Sequence, residues 1–347
     1  MSEAGPESGA RRRRLAIAAG VLAATAALGL AFFIRYAGPS FLSGPDSPHV
    51  IVNIPKGASA SQVASLLKER GAIRSPGFFL VLARITGGPE DLRYGTYRLR
   101  PGSALDALRR IRAGDTYKVR VSIPEGWTSF QIAARLKESG VIPDEDAFAA
   151  LVSSRNLEGR LFPETYFFEP GTGPERVVEE FFAQFRRVFS GELARGSEAL
   201  GLSEIQTVAL ASIIEREAQV PEERPVISSV YHNRLKNGWP LEADPTVQYA
   251  LSGGRFWKEK LTTNDLKFDS PYNTYRRRGL PPGPICNPGL GSLEAAAAPD
   301  ETGFFFFVAD SSGTHRFFRT LKEHSRFRAE KKRRERAARP LSGAKSH

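Results

Sequence analysis

IPKGASASQVASLLKERGAI, residues Ile54–Ile73, returns as IPEGWTSFQIAARLKESGVI, residues Ile123–Ile142. Pro55 matches Pro124, Gly57 Gly126, Gln62 Gln131, Ala64 Ala133, Leu67 Leu136 and Gly71 Gly140, every pair at the same separation along the chain. That separation also carries Thr96-Tyr97 of GTYRL onto Thr165-Tyr166 of ETYFF, and Pro101-Gly102 onto Pro170-Gly171. A separation that stays constant over such a distance marks two copies of one folded unit, about residues 50–103 and 119–172.

Within a copy, VNIP and VSIP alternate like short strands and end on Pro-Gly turn chemistry. Ser61–Arg70 places Val63, Leu66 and Leu67 at helical spacing and closes on Gly71, the position of a C-terminal cap. A second helix is expected at Gly77–Thr86, followed by the GTYRL strand. The unit therefore reads as β-α-α-β, and residues 49–173 as one duplicated region.

Upstream, Leu15–Ile34 runs without a charge, flanked by Arg11–Arg14 and Arg35. That length matches the hydrocarbon thickness of a bilayer. It exceeds the apolar core of a cleaved signal peptide and ends in Phe32, Phe33 and Ile34, so an uncleaved anchor is expected over 15–34. Four arginines before the span against one after it put residues 1–14, a basic arm, in the cytoplasm. Everything beyond the anchor is then expected on the outer, periplasmic face of the cytoplasmic membrane. Residues 36–48, rich in Pro, Gly and Ser, read as a linker.

The net charge of +11 suggests a nucleic-acid partner until its distribution is considered. Residues 1–35 hold five arginines against Glu3 and Glu7, and residues 326–347 nine Lys or Arg against Glu330 and Glu335, which leaves +1 for residues 36–325. The body lacks the basic footprint of a nucleic-acid-binding domain, and no nucleic acid is expected as partner. The basic tail, 326–347, reads as solvated and disordered. Cys286 is the only cysteine, and the five histidines show no metal-ligand spacing. No metal and no cofactor are expected.

Residues 174–325 read as a mixed α+β body. Pro174–Leu202 is helical by its spacing of Val177, Val178, Phe181, Phe182, Phe185, Val188 and Phe189. Ser203-Glu204-Ile205-Gln206 fits a capping box and starts a helix that ends in ASIIEREA. Further helices are expected at Val226–Asn237, Thr246–Leu251 and Ser292–Ala298, a loop at Ser270–Gly289, and a hairpin at Phe304–Thr320.

ASIIEREA offers two carboxylates, Glu215 and Glu217. On a helical wheel Glu217 falls between Leu210, Ile213 and Ile214, and Glu215 near Val208, Ala211 and Ser212. A carboxyl on an apolar face loses hydration, which raises its pKa toward that of a general acid. Pairing of Glu217 with Arg216 or Arg224 is an equally good account of the pattern. Glycoside hydrolysis uses two carboxyls, and Asp244 and Glu242 are candidates for the second. If a sugar hydroxyl is the nucleophile, one acid that becomes a base suffices. Asp244, Thr246, Asn273 and Tyr275 sit among Pro and Gly, where loops present groups to ligands, although turn chemistry alone accounts for Asp244 and Asn273 as well. Glu164, in LEGRLFPETY, is a candidate lining residue.

The anchor, the doubled unit, LEGRLFPETY, ASIIEREA, VYHNRL, LEADPTVQYAL, SPYNTYRRRGLPPGPICNPG and the FFFFVAD hairpin, in this order, resemble the endolytic murein transglycosylase, YceG-like, family. The likeness runs from the anchor to about His324. It implies a membrane-anchored lyase that cuts nascent peptidoglycan strands internally and leaves 1,6-anhydro-N-acetylmuramic acid ends. Its catalytic glutamate, the second of the IIE-x-E motif, falls on Glu217. The doubled unit resembles the family's LysM-like region, which grips N-acetylated glycans, and glycan polymerases and transpeptidases of wall synthesis are implied partners. A hydrolytic muramidase using Asp244 and a non-catalytic glycan-binding scaffold are the competing readings.

Overall fold

The computed structural model describes residues 7–37, 48–310 and 312–338. The chain forms two compact units, Met1–Lys118 and Val119–His347. The basic arm before residue 7, most of the 36–48 linker and residues 339–347 of the tail lie outside the described residues.

The first unit begins with helix α1 (Glu7–Ala37), whose Arg13–Tyr36 stretch is long and apolar enough to cross a membrane. Strand β1 (Val50–Ile54), helices α2 (Ala60–Glu69) and α3 (Pro76–Ile85), strand β2 (Gly95–Leu99) and helix α4 (Ala104–Ala113) follow. The second unit opens in the same way, with β3 (Val119–Ser122), α5 (Ser129–Glu138), α6 (Glu145–Ser154), β4 (Thr165–Phe168) and α7 (Pro174–Val188). Helices α5 and α6 begin and end at the repeat equivalents of the first and last residues of α2 and α3. Each strand pair is antiparallel, with Val52 opposite Tyr97 and Val121 opposite Tyr166.

The local chemistry repeats with the elements. Ser59 and Thr128 each close a capping box with the glutamine three residues on. Tyr97 and Tyr166 donate their hydroxyls to the carbonyl four residues earlier, on Arg93 and Phe162. The correspondence also runs one helix further than the repeat read from the sequence. Ala107, Leu108 and Ile111 of α4 fill the first core, as Val177, Val178 and Phe181 of α7 fill the second, at a separation longer by a single residue.

The second repeat belongs with the C-terminal body. The compact units divide at 118/119, so the second repeat lies in the same unit as residues 174–325. Two observations account for this shared unit: α7 is both the last helix of the repeat and part of the body's core through Phe182 and Phe185, and the loop around Asn287 bonds directly to the repeat. Gly159, at φ +80°, lies where any side chain would overlap the Pro284 ring and come within 2.8 Å of Val208.

The body continues with α8 (Gly191–Ala199), α9 (Glu204–Glu217), α10 (Arg224–Lys236), α11 (Asp244–Ser252), α12 (Leu290–Ala297), the hairpin β5 (Phe306–Ala309) and β6 (His315–Phe318), and α13 (Leu321–Ala338). The single helix expected over Pro174–Leu202 is two, broken at Phe189-Ser190 before Gly191, whose φ is +60°. α9 is the central element, buried at every position from Thr207 to Ile214. The tail departs from its expected disorder: residues 326–338 continue α13, with Lys331 donating to the Ala309 carbonyl at 2.7 Å.

Candidate active site

α9 starts on its capping box at Ser203 and ends at Ala218, where the backbone turns extended. Glu215, Arg216 and Glu217 therefore sit on the last turn of a helix whose preceding two turns are wholly buried. This changes the wheel argument. Both glutamates leave a helix that is buried all round, and their partners distinguish them.

Glu215 is held by the framework. Its Oε2 accepts from the Gly289 amide at 3.1 Å and the Ser292 hydroxyl at 2.7 Å, at the N-terminal end of α12. Its Oε1 lies 3.6 Å from Arg224, which also reaches Glu125. A carboxylate with two donors and a cation is a structural tie between α9, α10 and α12.

Among the described residues Glu217 has one hydrogen bond, from the Tyr231 hydroxyl of α10 at 3.1 Å. Burial lifts its pKa to about 7, helped by the negative charge of Asp244, while the Tyr231 hydrogen bond and the Arg234 and Arg216 guanidiniums draw it back down. Tyr231 is itself buried beside this carboxyl, which pushes its hydroxyl pKa well up and keeps it a donor. Arg234 is fixed by the carbonyls of Phe305 at 2.8 Å and Leu241 at 2.7 Å, so its charge stands at a set place.

Asp244 is the first residue of α11 and is exposed; the Tyr275 hydroxyl donates to its Oδ1 at 2.6 Å. The structure thus gathers three of the residues singled out from the sequence, Glu217, Asp244 and Tyr275. Thr246 and Asn273 are placed differently. Both are fully buried, with Thr246 bonded to the Ala243 carbonyl and Thr274 hydroxyl, and Asn273 to the carbonyls of Leu266 and Phe268 and the Tyr275 amide. Their polar atoms shape the loop that presents Tyr275. Glu164 is exposed beside β4, and its carbonyl accepts from the Ile123 amide.

Four residues that sequence reasoning passed over matter here. Tyr231 and Arg234 lie within VYHNRL, but no local spacing links them to Glu217. Glu158 and Asn287 join the second repeat to the body. The Glu158 carboxylate accepts from the Ser129 amide and hydroxyl and from the Asn287 side chain, and burial still raises its pKa to about 7. Glu158 stands where the first copy has Pro89, and that departure from the repeat is the signal that could have found it.

Arranged this way, the residues supply one carboxyl whose pKa burial raises to about 7, a tyrosine that donates to it, and a second carboxylate whose charge acts on it. Residues 52–330 match the YceG-like family. The chain belongs to that family. The matched stretch starts in β1 and ends in α13, so it takes in both repeats and the whole site. This YceG-like chain is 35% identical over 307 residues to the endolytic murein transglycosylase of Bacillus subtilis, covering 80% of the chain and 83% of the relative. It is 28% identical over 323 residues to the endolytic murein transglycosylase of Streptococcus pneumoniae serotype 2, covering 81% of the chain and 58% of that longer relative. The crystal structure of a yceG-like protein from Listeria monocytogenes superposes with a TM-score of 0.53 at 30% identity, over 80% of the chain and 99% of the other.

Proposed function

We propose that this chain is an endolytic peptidoglycan lytic transglycosylase in which Glu217 acts first as acid and then as base. The observation that carries the reading is the placement of Glu217 at the end of a buried helix, bonded to the Tyr231 hydroxyl and near Asp244, where burial raises its pKa to about 7. Protonated Glu217 gives its proton to the glycosidic oxygen between N-acetylmuramic acid and N-acetylglucosamine as the C1–O bond breaks. The carboxylate so formed takes the proton of the muramic C6 hydroxyl, whose oxygen closes on C1 to form the 1,6-anhydro ring. No water is consumed, and Glu217 ends protonated as it began.

Asp244 stands by this site as an anion that favours the positive charge developing at C1, with Tyr275 holding it in place. The same carboxylate supports a second reading, a muramidase in which Asp244 directs a water molecule. α1 serves as a single-pass anchor with Arg11–Arg14 in the cytoplasm, the two repeats are LysM-like modules that hold the glycan, and the site works on strands being made on the outer face by polymerases and transpeptidases.

Purified chain, wild type and Glu217→Gln, incubated with uncross-linked strands tests this. Ends lighter by one water from wild type alone are the expected result; ordinary reducing ends select the muramidase, and activity retained in Glu217→Gln sinks both. The rate needs the protonated acid, so kcat/KM falls as pH rises through about 7. Tyr231→Phe removes a bond that favours the carboxylate and moves that limb upward, whereas Asp244→Asn removes a charge that disfavours it and moves the limb downward. Limbs that move together in both variants would show that another group titrates.

A further inference from the structure

Arg216 stands between Glu215 and Glu217, exposed, and its side chain makes no hydrogen bond or ion pair among the described residues. Its guanidinium lies over Trp257, 4.1 Å from the ring centroid. Arg255, two residues before that tryptophan, is likewise exposed and without a carboxylate, and lies 4.3 Å from the centroid of Phe130 on α5. Two other arginines of this unit lie over rings, and both are engaged elsewhere: Arg135 over Trp127 pairs with Glu138, and Arg234 over Phe306 is bonded to carbonyls. Among the described residues of the unit, Arg216 and Arg255 are the stacked arginines whose donors are left open.

Their positions are fixed by the second repeat. The Thr128 hydroxyl donates to the Gly254 carbonyl at 2.7 Å and holds the loop of Arg255 and Trp257 at the start of α5. Arg216 comes within 3.6 Å of where a side chain on Gly126 would begin. Both guanidiniums therefore flank the turn that leads into α5. In the first copy the positions of Thr128 and Phe130 are Ser59 and Ser61, so no ring stands there to hold an arginine.

A guanidinium laid on a ring has its face occupied and its N–H edge free, and little freedom left to lose on binding. Such a fork matches a planar, two-oxygen anion. N-acetylglucosamine is neutral, and the single carboxyl of N-acetylmuramic acid, on its lactyl group, is consumed in the amide that joins the peptide; the carboxylates of a stem-bearing strand are therefore on that peptide. We propose that Arg216 and Arg255 form a subsite for carboxylates of that peptide stem, so that strands carrying stems are bound at this site in preference to bare glycan. The inference rests on the reading of Glu217 as the site of glycan cleavage. It adds a coupling as well: an anion docked on Arg216 cancels part of that guanidinium's hold on ionised Glu217 and so favours its acid form.

The test uses the full chain in detergent carrying Glu217→Gln, which binds without turnover. Three probes are titrated by calorimetry: a glycan tetrasaccharide with stem peptides, the same compound with its carboxylates amidated, and the tetrasaccharide without stems, its lactyl carboxyls amidated. Free stems should bind about tenfold or more tighter than amidated ones, since each charge-assisted fork is worth about that factor, and added salt should shrink the ratio. Adding Arg216→Gln or Arg255→Gln should each cut the ratio several-fold, and both together should bring it near one. Lysine at either position keeps the charge but not the fork and should restore only part. Equal affinities for the three probes, no binding of any, or a ratio that survives both glutamines overturns the subsite. Failure of the catalytic reading shows elsewhere, as wild type that binds stem-bearing strands and yields no anhydro ends.

Discussion

The two repeats share a framework and differ in what it holds. Both cap their first helix in the same way, turn at a left-handed glycine after it, Gly71 or Gly140, and set a tyrosine opposite a valine in the sheet. At the turn before that helix they part: the first copy has Lys56, Ala58 and Ala60, and the second has Glu125, Trp127 and Ser129. Trp127 accepts from the Asn287 amide and side chain through its carbonyl, Ser129 bonds Glu158, and Glu125 reaches Arg224. The shared geometry of the unit is therefore set by its caps, glycines and tyrosine, while the differing turn positions decide whether a copy becomes part of a larger body. A duplicated fold gains a second role by changing a few turn residues and leaving the core alone.

Asn287 is the residue on which that difference is concentrated. Its side chain donates to Trp127 and Glu158 and accepts from the Leu161 amide, all out of solvent. Asn287→Leu strands the Leu161 amide and leaves Glu158 short of a donor, at a cost of roughly 3–5 kcal/mol, and cleavage should fall with it. Urea unfolding measures the first. A loss under about 1 kcal/mol, no more than one ordinary hydrogen bond, would mean the second repeat is not wired to the body through this side chain.

Glu158 should reveal itself through pH. Its folded pKa of about 7 lies above that of an unfolded glutamate, so its contribution is full below about pH 4.5 and is lost as pH rises through 7. The loss is on the order of 3 kcal/mol. Glu217 has the same direction and adds to it. Glu158→Gln reproduces the neutral form, and its melting temperature should fall less between about pH 5 and 8 than that of wild type. Parallel curves would place the titration elsewhere.

How much of this was legible in the sequence follows from the range of the forces involved. Caps, glycines and strand alternation are local, and the bounds of the β-α-α-β copies can be read from them. The third helix of each copy escapes because one residue inserted near Gly171-Thr172-Gly173 lengthens the separation by one and ends the match. The break between α7 and α8 escapes because apolar periodicity continues through Phe189. Glu217 could be singled out, but the stripe used to choose it disappears once α9 is buried on every side. What separates it from Glu215 comes from α10, α11 and α12, and no window of sequence contains those partners together. Thr246 and Asn273 illustrate the same limit: a polar residue in a loop rich in Pro and Gly reads alike whether it faces a ligand or its own backbone.

The smallest expected effect is the most direct test of the comparison, because the same atom is removed from both copies. Ser59→Ala deletes a cap hydroxyl whose partners all lie within its own turn, and should cost about 1 kcal/mol with cleavage unchanged. Thr128→Ala deletes the equivalent hydroxyl and also the donor to the Gly254 carbonyl, a further buried bond, so about 2 kcal/mol is expected. It should also loosen the loop of Arg255 and Trp257, which would appear as a higher KM at nearly constant kcat. Thr128→Ser keeps the hydroxyl and should restore both. If the two alanine variants lose equal stability and neither changes KM, then Thr128 is only a cap, and the second copy's link to the site does not run through this turn.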